Sequence, residues 1–494
     1  MEYDLGWLVL TALIGGIVAL LGLLKRVNEW IYVSSLGAKQ YSLPPGDMGW
    51  PFIGNMWSLF RAFKNGEPDS FISAVVTRFG AEAQIYKAFM FGNPCVIVTT
   101  SETCRRVLMD DVNFGHGSLK SITKLIGKKG FHGLSNEEHR RIRRATTAPI
   151  KGRDSLSVYI DLIEDIAMSS FEEWARMDRP VEFLTELRKV AFKVIMNIIM
   201  SDELEPKAMD IMEMEYTRLS HGVKSMPINL PGFAYREALK ARKYLVKNFQ
   251  DVVDKRRATM KSNQSKPNKD VLSIMIETED EDGQKLSDEE IIDLIIMFLL
   301  TGHESSAHAT TWVMIFLQEN PQCLQKAKEE QEEIIRRRPP TQSRLSHNEI
   351  RQMEYLSKVI DETLRVANLS FALFREAKTD VNINGYIVPK GWKVLAWIRN
   401  IHVNPENYPN PKEFNPSRWD GHTTKPGAYI PFGAGSRLCP GGDLAKLEVS
   451  VFLHYFLLNY KLERLNPKCG VKYLPIPKPK DNCLARIKKL SASP

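Results

Sequence analysis

The chain opens on residues 5–24, an apolar run without a single charge. It is long enough to cross about 30 Å of hydrocarbon as a helix. Glu2 and Asp4 precede the run and Lys25 and Arg26 follow it. That asymmetry predicts an uncleaved anchor with the rest of the chain on the cytoplasmic side. A cleaved signal peptide would carry its positive charge ahead of the run, and no clear small-residue cleavage site follows. Residues 43–54, Leu-Pro-Pro-Gly-Asp-Met-Gly-Trp-Pro-Phe-Ile-Gly, predict a stiff, non-helical segment. Short β-like runs come next at 83–86 and 95–99, and helical patterns then dominate to about residue 365. The clearest helix is predicted over 288–318. Ser287 and Glu290 form a capping box ahead of it, and 291–300 is apolar apart from Asp293, as in a buried helix. Asp293 and the polar cluster 301–308 argue against a second membrane span. A β-rich piece is expected over 381–388, around Asn384-Gly385, and again over 393–397. A last helix is expected from Asp443 to about Tyr460. Residues 260–270 and 277–282 look like surface loops, and 336–340 like the solvated end of a charged helix.

These elements predict a mainly α fold with a smaller β region. The expected organisation is an anchor at 1–26, a Pro/Gly hinge at 27–54 and one catalytic body at 55–494. The 494 residues are 43% hydrophobic, enough for a large core, and show no internal repeat. A net charge of +8 suits an acidic protein partner or an anionic membrane surface as well as nucleic acid. No nucleic-acid motif accompanies the charge, so nucleic acid is set aside. The six cysteines, Cys95, Cys104, Cys323, Cys439, Cys469 and Cys483, show no paired spacing. That speaks for a reducing compartment and against a disulfide framework.

The densest chemistry is in residues 431–442, Pro-Phe-Gly-Ala-Gly-Ser-Arg-Leu-Cys-Pro-Gly-Gly. Gly433, Gly435 and Gly441 permit turns and close approach. Asp443 is positioned to cap the helix that follows, whose positive end would favour a thiolate at Cys439. Arg437 supplies a cation suited to an anionic cofactor edge. Within the buried helix, Thr301-Gly302-His303-Glu304-Ser305-Ser306 interrupts the apolar run, and residues 301, 304, 305 and 308 are expected to share a face. A glutamate there is costly unless used, and local loosening near Gly302 would admit water. Glu362 and Arg365 form an i, i+3 pair. The bland readings are a structural cysteine, a hydrated kink and a surface ion pair.

Taken together, these strings resemble the cytochromes P-450. The resemblance implies a mainly α fold holding haem b, with Cys439 as the axial iron ligand. It implies two electrons from NADPH through a membrane NADPH-cytochrome P-450 reductase, and insertion of one atom of dioxygen into a C–H bond or an alkene. Glu304 and Ser305 stand at the family's oxygen-activating acid–alcohol pair, where Ser305 replaces the usual Thr and Thr301 a frequent Ala. Glu362, Arg365 and, in Phe414-Asn415-Pro416-Ser417-Arg418-Trp419, Arg418 match the structural Glu–Arg–Arg lock. Arg437, Arg375, His139 (where the family has Trp) and Arg143 match haem-binding positions.

Residues 43–55, Phe91-Gly92-Asn93-Pro94, Cys104 to Leu108, Pro231-Gly232-Phe233-Ala234-Tyr235 and Asp481-Asn482-Cys483-Leu484-Ala485 resemble plant ent-kaurenoic acid oxidases. The wider family includes triterpenoid oxidases. Loop 114–124 lacks the Pro-Gly-Trp-Pro of the diterpenoid acid oxidases, and 367–374 looks more like the triterpenoid-oxidising relatives. The expected pocket residues are Ser118, Lys120, Lys124, Thr301, Phe371 and Leu373. The favoured substrate is a neutral multi-ring triterpenoid. The alternative is ent-kaurenoic acid, its carboxylate paired with Lys120 or Lys124. A reductase-independent, hydroperoxide-rearranging haem enzyme is the reading from another class; such relatives generally lack the acid–alcohol pair. A haem-binding sensor is a third reading. The expected location is the endoplasmic reticulum membrane, single-pass, with the plastid envelope as a second address.

Overall fold

The computed structural model describes residues 2–37, 39–147, 150–151, 153–201, 205–262, 270–279, 283–421 and 424–490. Helix accounts for 58% of the chain, so the mainly α expectation holds. Residues 263–269 and 280–282, within the two expected loops, lie outside the described residues. The stretch expected as one body over 55–494 is shared between two compact units, each drawing on separated segments.

Unit 1 comprises residues 1–117, 371–401 and 426–428. It opens with α1 (Glu2–Tyr32), α2 (Met56–Lys64), α3 (Ser70–Phe79), β1 (Ile85–Met90), β2 (Asn93–Val98), α4 (Ser101–Met109) and β3 (Phe114–His116). Unit 2 carries α5 (Lys120–Ile126), α6 (Asn136–Thr147), α7 (Arg153–Arg176), β4 (Val181–Glu182), α8 (Phe183–Met200), α9 (Pro206–Val223), α10 (Ala234–Lys261), α11 (Val271–Glu277), α12 (Asp288–Glu319), α13 (Pro321–Arg337), α14 (His347–Arg351) and α15 (Glu354–Ala367). The chain returns to unit 1 for β5 (Leu373–Ala377), β6 (Val381–Ile383), β7 (Tyr386–Val388) and β8 (Lys393–Ala396), after which comes α16 (Ile398–His402). It ends in unit 2 with α17 (Gly442–Asn459), β9 (Tyr460–Arg464), β10 (Val471–Lys472), β11 (Lys478–Pro479) and β12 (Leu484–Lys489).

In unit 1 five strands pair in the order β1-β2-β8-β5-β3, with β2 parallel to β8 and the other neighbours antiparallel. The predicted 381–388 hairpin is β6–β7; its Asn384 and Gly385 turn at φ +52° and +83°, the signs a two-residue type I′ turn needs. The apolar run lies in Trp7–Leu36, whose most apolar 18-residue stretch has mean hydropathy 2.5 and no buried share. Helix α1 does not stop at residue 26 but continues to Tyr32. Its buried Asn28 donates to the Met48 and Trp50 carbonyls at 2.9 and 2.7 Å. Asn55 in turn exchanges two hydrogen bonds with Phe89 of β1, both 2.9 Å. The Pro/Gly segment is thus fastened at both ends.

Unit 2 is built around α12, which is buried almost throughout Glu290–Leu300. The capping box is present: Glu290 N–H donates to Ser287 Oγ at 3.3 Å, and Ser287 N–H to Glu290 Oε2 at 2.9 Å. Asp293 has a partner on α10, since Arg242 Nη2 donates to it at 2.5 Å. The helix is unbroken across 301–306, so the loosening expected near Gly302 does not occur. Gly302 has another reason: a Cβ there would lie 3.1 Å from Ile195 on α8, so glycine permits close helix packing. The hydroxyls of this stretch find acceptors on their own helix, so no open turn is needed to satisfy them. Thr301 donates to Met297 O, Ser305 to Thr301 O and Thr310 to Ser306 O, at 2.8, 2.8 and 2.9 Å.

Candidate functional site

The loop before α17 is folded by its own backbone. Cys439 N–H donates to Phe432 O at 2.9 Å, and Gly433 N–H to Ile430 O at 3.0 Å. Gly433 and Gly435 sit at φ +82° and +75°, values that cost an L side chain about 1–2 kcal/mol. Gly441 has ordinary φ and nothing near a would-be Cβ. The close approach falls instead on Gly442, where a Cβ would meet the Phe432 ring at 3.3 Å. The expectation for Asp443 is corrected too: the N-cap is Gly441, with no side-chain cap, and Asp443 lies in the first turn. Cys439 is exposed. Its thiol is raised above its ordinary value. The surrounding protein desolvates it, while the Gly441 N–H and the Arg143 charge pull only part way back.

Two further groups are brought to this loop. Arg437 donates to Phe131 O at 3.0 Å, Leu134 O at 3.2 Å and Asn136 Oδ1 at 2.8 Å, so neutral acceptors orient its guanidinium. Arg143, half-buried on α6, is near enough to Cys439 for the two charges to interact. His139 of the same helix is buried, its ring edge-on to Phe131 at 5.0 Å. Behind the loop, Tyr429 OH donates to Asp361 Oδ1 at 3.0 Å and Lys446 pairs with Asp361 at 2.5 Å.

The Glu–Arg–Arg arrangement is complete within unit 2. Arg365 grips Glu362 with two parallel hydrogen bonds of 2.9 and 2.8 Å. Arg418 Nε donates to Glu362 Oε1 at 3.0 Å. Arg365 also donates to the His402 and Pro411 carbonyls at 2.8 and 2.7 Å. Glu362 and Arg365 are fully buried. This bidentate geometry is the strong form of the pair, and it joins α15 to the segment ahead of the cysteine loop.

Residues 301, 304, 305 and 308 do not share one environment. Thr301 and Ser305 are exposed, whereas Glu304 and His308 are buried. Glu304 turns toward α9, where Lys224 ion-pairs with it and Ser220 Oγ donates to Oε1 at 2.8 Å. Burial opposes its charge, but the Lys224 ammonium, with Arg188 and His303 behind it, outweighs burial and holds the carboxyl down at about 2. The acid and the alcohol are therefore sequence neighbours with separate partners. Nothing in the sequence pattern marked Lys224 or Ser220, which lie 80 and 84 residues away.

The expected pocket residues fall in both units. Phe371 belongs to an aromatic cluster of unit 1, with ring centroids 5.4 Å from Phe63 and 5.1 Å from Trp397. Leu373 is half-buried at the start of β5. Arg375, on the same strand, is buried; burial pushes its guanidinium down to about 10, against the pull of Asp111. In unit 2, Ser118 is half-buried ahead of α5, while Lys120 and Lys124 are exposed. Both lysines line a groove of about 220 Å³ with Pro227, Asn229, Tyr235 and Leu239.

The donor set of unit 2 suits a haem. A lone exposed thiol has a backbone N–H directed at its sulfur, and two arginines flank it where carboxylates would otherwise lack partners. No group of three or more His, Cys, Asp or Glu side chains able to hold a bare metal ion occurs among the described residues.

Comparison with known proteins agrees. Residues 44–477 match the family Cytochrome P-450. The chain is 59% identical to ent-kaurenoic acid oxidase 2 of Arabidopsis thaliana, over 96% of each chain. It is 55% identical to a 7,8-epoxymelianol synthase of Ailanthus altissima, over 99% of this chain and 98% of the relative. The solved structure of retinoic acid bound cyanobacterial CYP120A1 superposes with a TM-score of 0.80 at 25% identity, over 91% of this chain and all of that one.

Proposed function

The chain belongs to the cytochrome P-450 family, a family of haem-iron monooxygenases, and we propose that it oxidises a neutral, multi-ring plant triterpenoid. Relatives of both kinds, ent-kaurenoic acid oxidases and triterpenoid-oxidising synthases, match over nearly the full length. The observation that carries the choice is the placement of Lys120 and Lys124. Both are exposed on a surface groove, where water screens the attraction that would select a carboxylate. The second reading, ent-kaurenoic acid oxidation, is supported by the 59% identity to the Arabidopsis oxidase.

The family's haem, when bound, supplies dioxygen activation with electrons from NADPH through a reductase. In this proposal Cys439 is the iron ligand, and Arg437, Arg143 and His139 hold the haem edge. Ser305 presents its hydroxyl to the reacting oxygen by exchanging its bond to Thr301 O. Glu304, the acid of the pair, stays an ionised carboxylate held on the α9 side of the helix by Lys224 and Ser220. Glu362, Arg365 and Arg418 fix the α15 side of the fold. Helix α1 anchors the chain in the endoplasmic reticulum membrane by a single pass, and the reductase partner shares that surface.

The test is a set of substrate-binding difference spectra of the purified holoenzyme with ent-kaurenoic acid and with a triterpenoid panel. A low-to-high-spin shift confined to triterpenoids is expected. A shift with the diterpenoid acid alone overturns the choice of substrate and makes Lys120 and Lys124 the next positions to mutate.

A further inference from the structure

Helices α7, α8, α12 and α17 of unit 2 enclose a cavity of about 10 Å³, room for one water. Its polar lining is Glu448 of α17 with Ser306 and Thr310 of α12. Ser306 lines the cavity beside the Glu448 carboxyl and is near enough to interact with it. The carboxyl oxygen Oε2 is buried and has no hydrogen-bond partner. A buried acceptor left in that state costs about 1–3 kcal/mol. Side chains from α7 and α8, Ile163 and Val190 among them, close the cavity with apolar surface, and no charged residue of α7, α8 or α12 lines it. A carboxylate there would be an uncompensated buried charge. Burial accordingly pushes the Glu448 carboxyl up to about 7, with the Ser306 hydroxyl opposing.

We propose that Glu448 is a neutral acid that holds one buried water, and that this acid–water–Ser306 link is a positioning element fixing the rotation of α12 against α17. Both helices are apolar at their crossing, and apolar surfaces alone tolerate slip. A hydrogen-bonded pair inside them specifies one arrangement. Ser306 is the next residue after Ser305, about 100° around the helix from it, so any turn of α12 that breaks the link rotates Ser305 through the same angle. The consequence for oxygen chemistry rests on the role proposed above for Ser305. Glu448 touches no reacting atom; it acts through α12.

The test uses the full-length holoenzyme with its reductase in phospholipid vesicles. Wild type, E448Q, E448L and S305A are compared by infrared spectroscopy and by hydrogen peroxide released per NADPH across neutral pH. A protonated-carboxyl band is expected in wild type below pH about 7 and absent in E448Q. Peroxide release should rise about two- to tenfold in E448L, the worth of one lost hydrogen bond, with the thiolate carbonyl spectrum unchanged. In wild type it should rise as pH passes through about 7. E448Q, whose amide still donates, should remain low and flat. The proposal is overturned if E448Q removes no acid band, or if it keeps the pH inflection, or if a folded E448L releases no more peroxide than wild type. Unchanged coupling in S305A alongside a leaky E448L would refute the Ser305 role and leave the positioning link standing.

Discussion

The cysteine loop and the polar stretch of α12 carry the two halves of one proposed chemistry, yet they are built in opposite ways. The loop closes on itself: a hydrogen bond from Cys439 back to Phe432 and two glycines at positive φ settle its shape within about a dozen residues. The α12 stretch is a regular helix whose behaviour depends on a remote partner. Glu304 is ionised down to about 2 because Lys224 lies against it. The contrast teaches that a local backbone motif fixes where a group is, whereas its protonation state is settled by what the rest of the fold brings to it.

The largest effect that would sharpen this contrast is Cys439→Ser. A hydroxyl is a harder and weaker donor than a thiolate, so the thiolate-type carbonyl difference spectrum should vanish completely; an unchanged spectrum would remove Cys439 as ligand. Next is Glu362→Gln, at a site that mixes a local partner, Arg365, with a distant one, Arg418. Breaking a buried pair costs about 3–5 kcal/mol, read as a lowered denaturant midpoint. A loss below about 1 kcal/mol would mean that the carbonyl contacts of Arg365 suffice without the carboxylate.

The smallest effect, and the one aimed at the remote partner, is Lys224→Met. The folded carboxyl of Glu304 lies at about 2, below its ordinary value of 4.5. The pair therefore adds stability that is present above pH 4.5 and lost as pH falls toward 2. The difference in Tm between wild type and K224M should be full at neutral pH and shrink below about pH 4.5. A difference that stays constant down to pH 3 would show that Lys224 acts by packing alone.

Much of this was legible in the residues. The α12 capping box, the β6–β7 turn and the Cys439 loop each rest on short-range chemistry, and each stands where the pattern puts it. The Glu362–Arg365 pair was visible as an i, i+3 spacing, but Arg418 required a second motif 53 residues on. What failed to be legible was environment. Spacing placed Glu304 and Ser305 together; three-dimensional packing separated them, because a side chain at 304 points to α9 while one at 305 does not. Glu448 gave no signal at all, since one acid at the start of an apolar helix resembles any surface residue until α7, α8 and α12 close over it.

Asn28 leaves one mechanical consequence. At 1.5 Å per residue, the 31 residues of α1 span about 46 Å, against about 30 Å of hydrocarbon. With the anchor in place, the surplus turns emerge as a rigid rod, and Asn28 bolts that rod to the 48–50 backbone. The height and heading of the unit 1 sheet above the bilayer are then set by a count of helical residues, as on a ruler, and not by the slack of a tether. Inserting a single residue between 24 and 28 would turn the attachment point by about 100° around the rod.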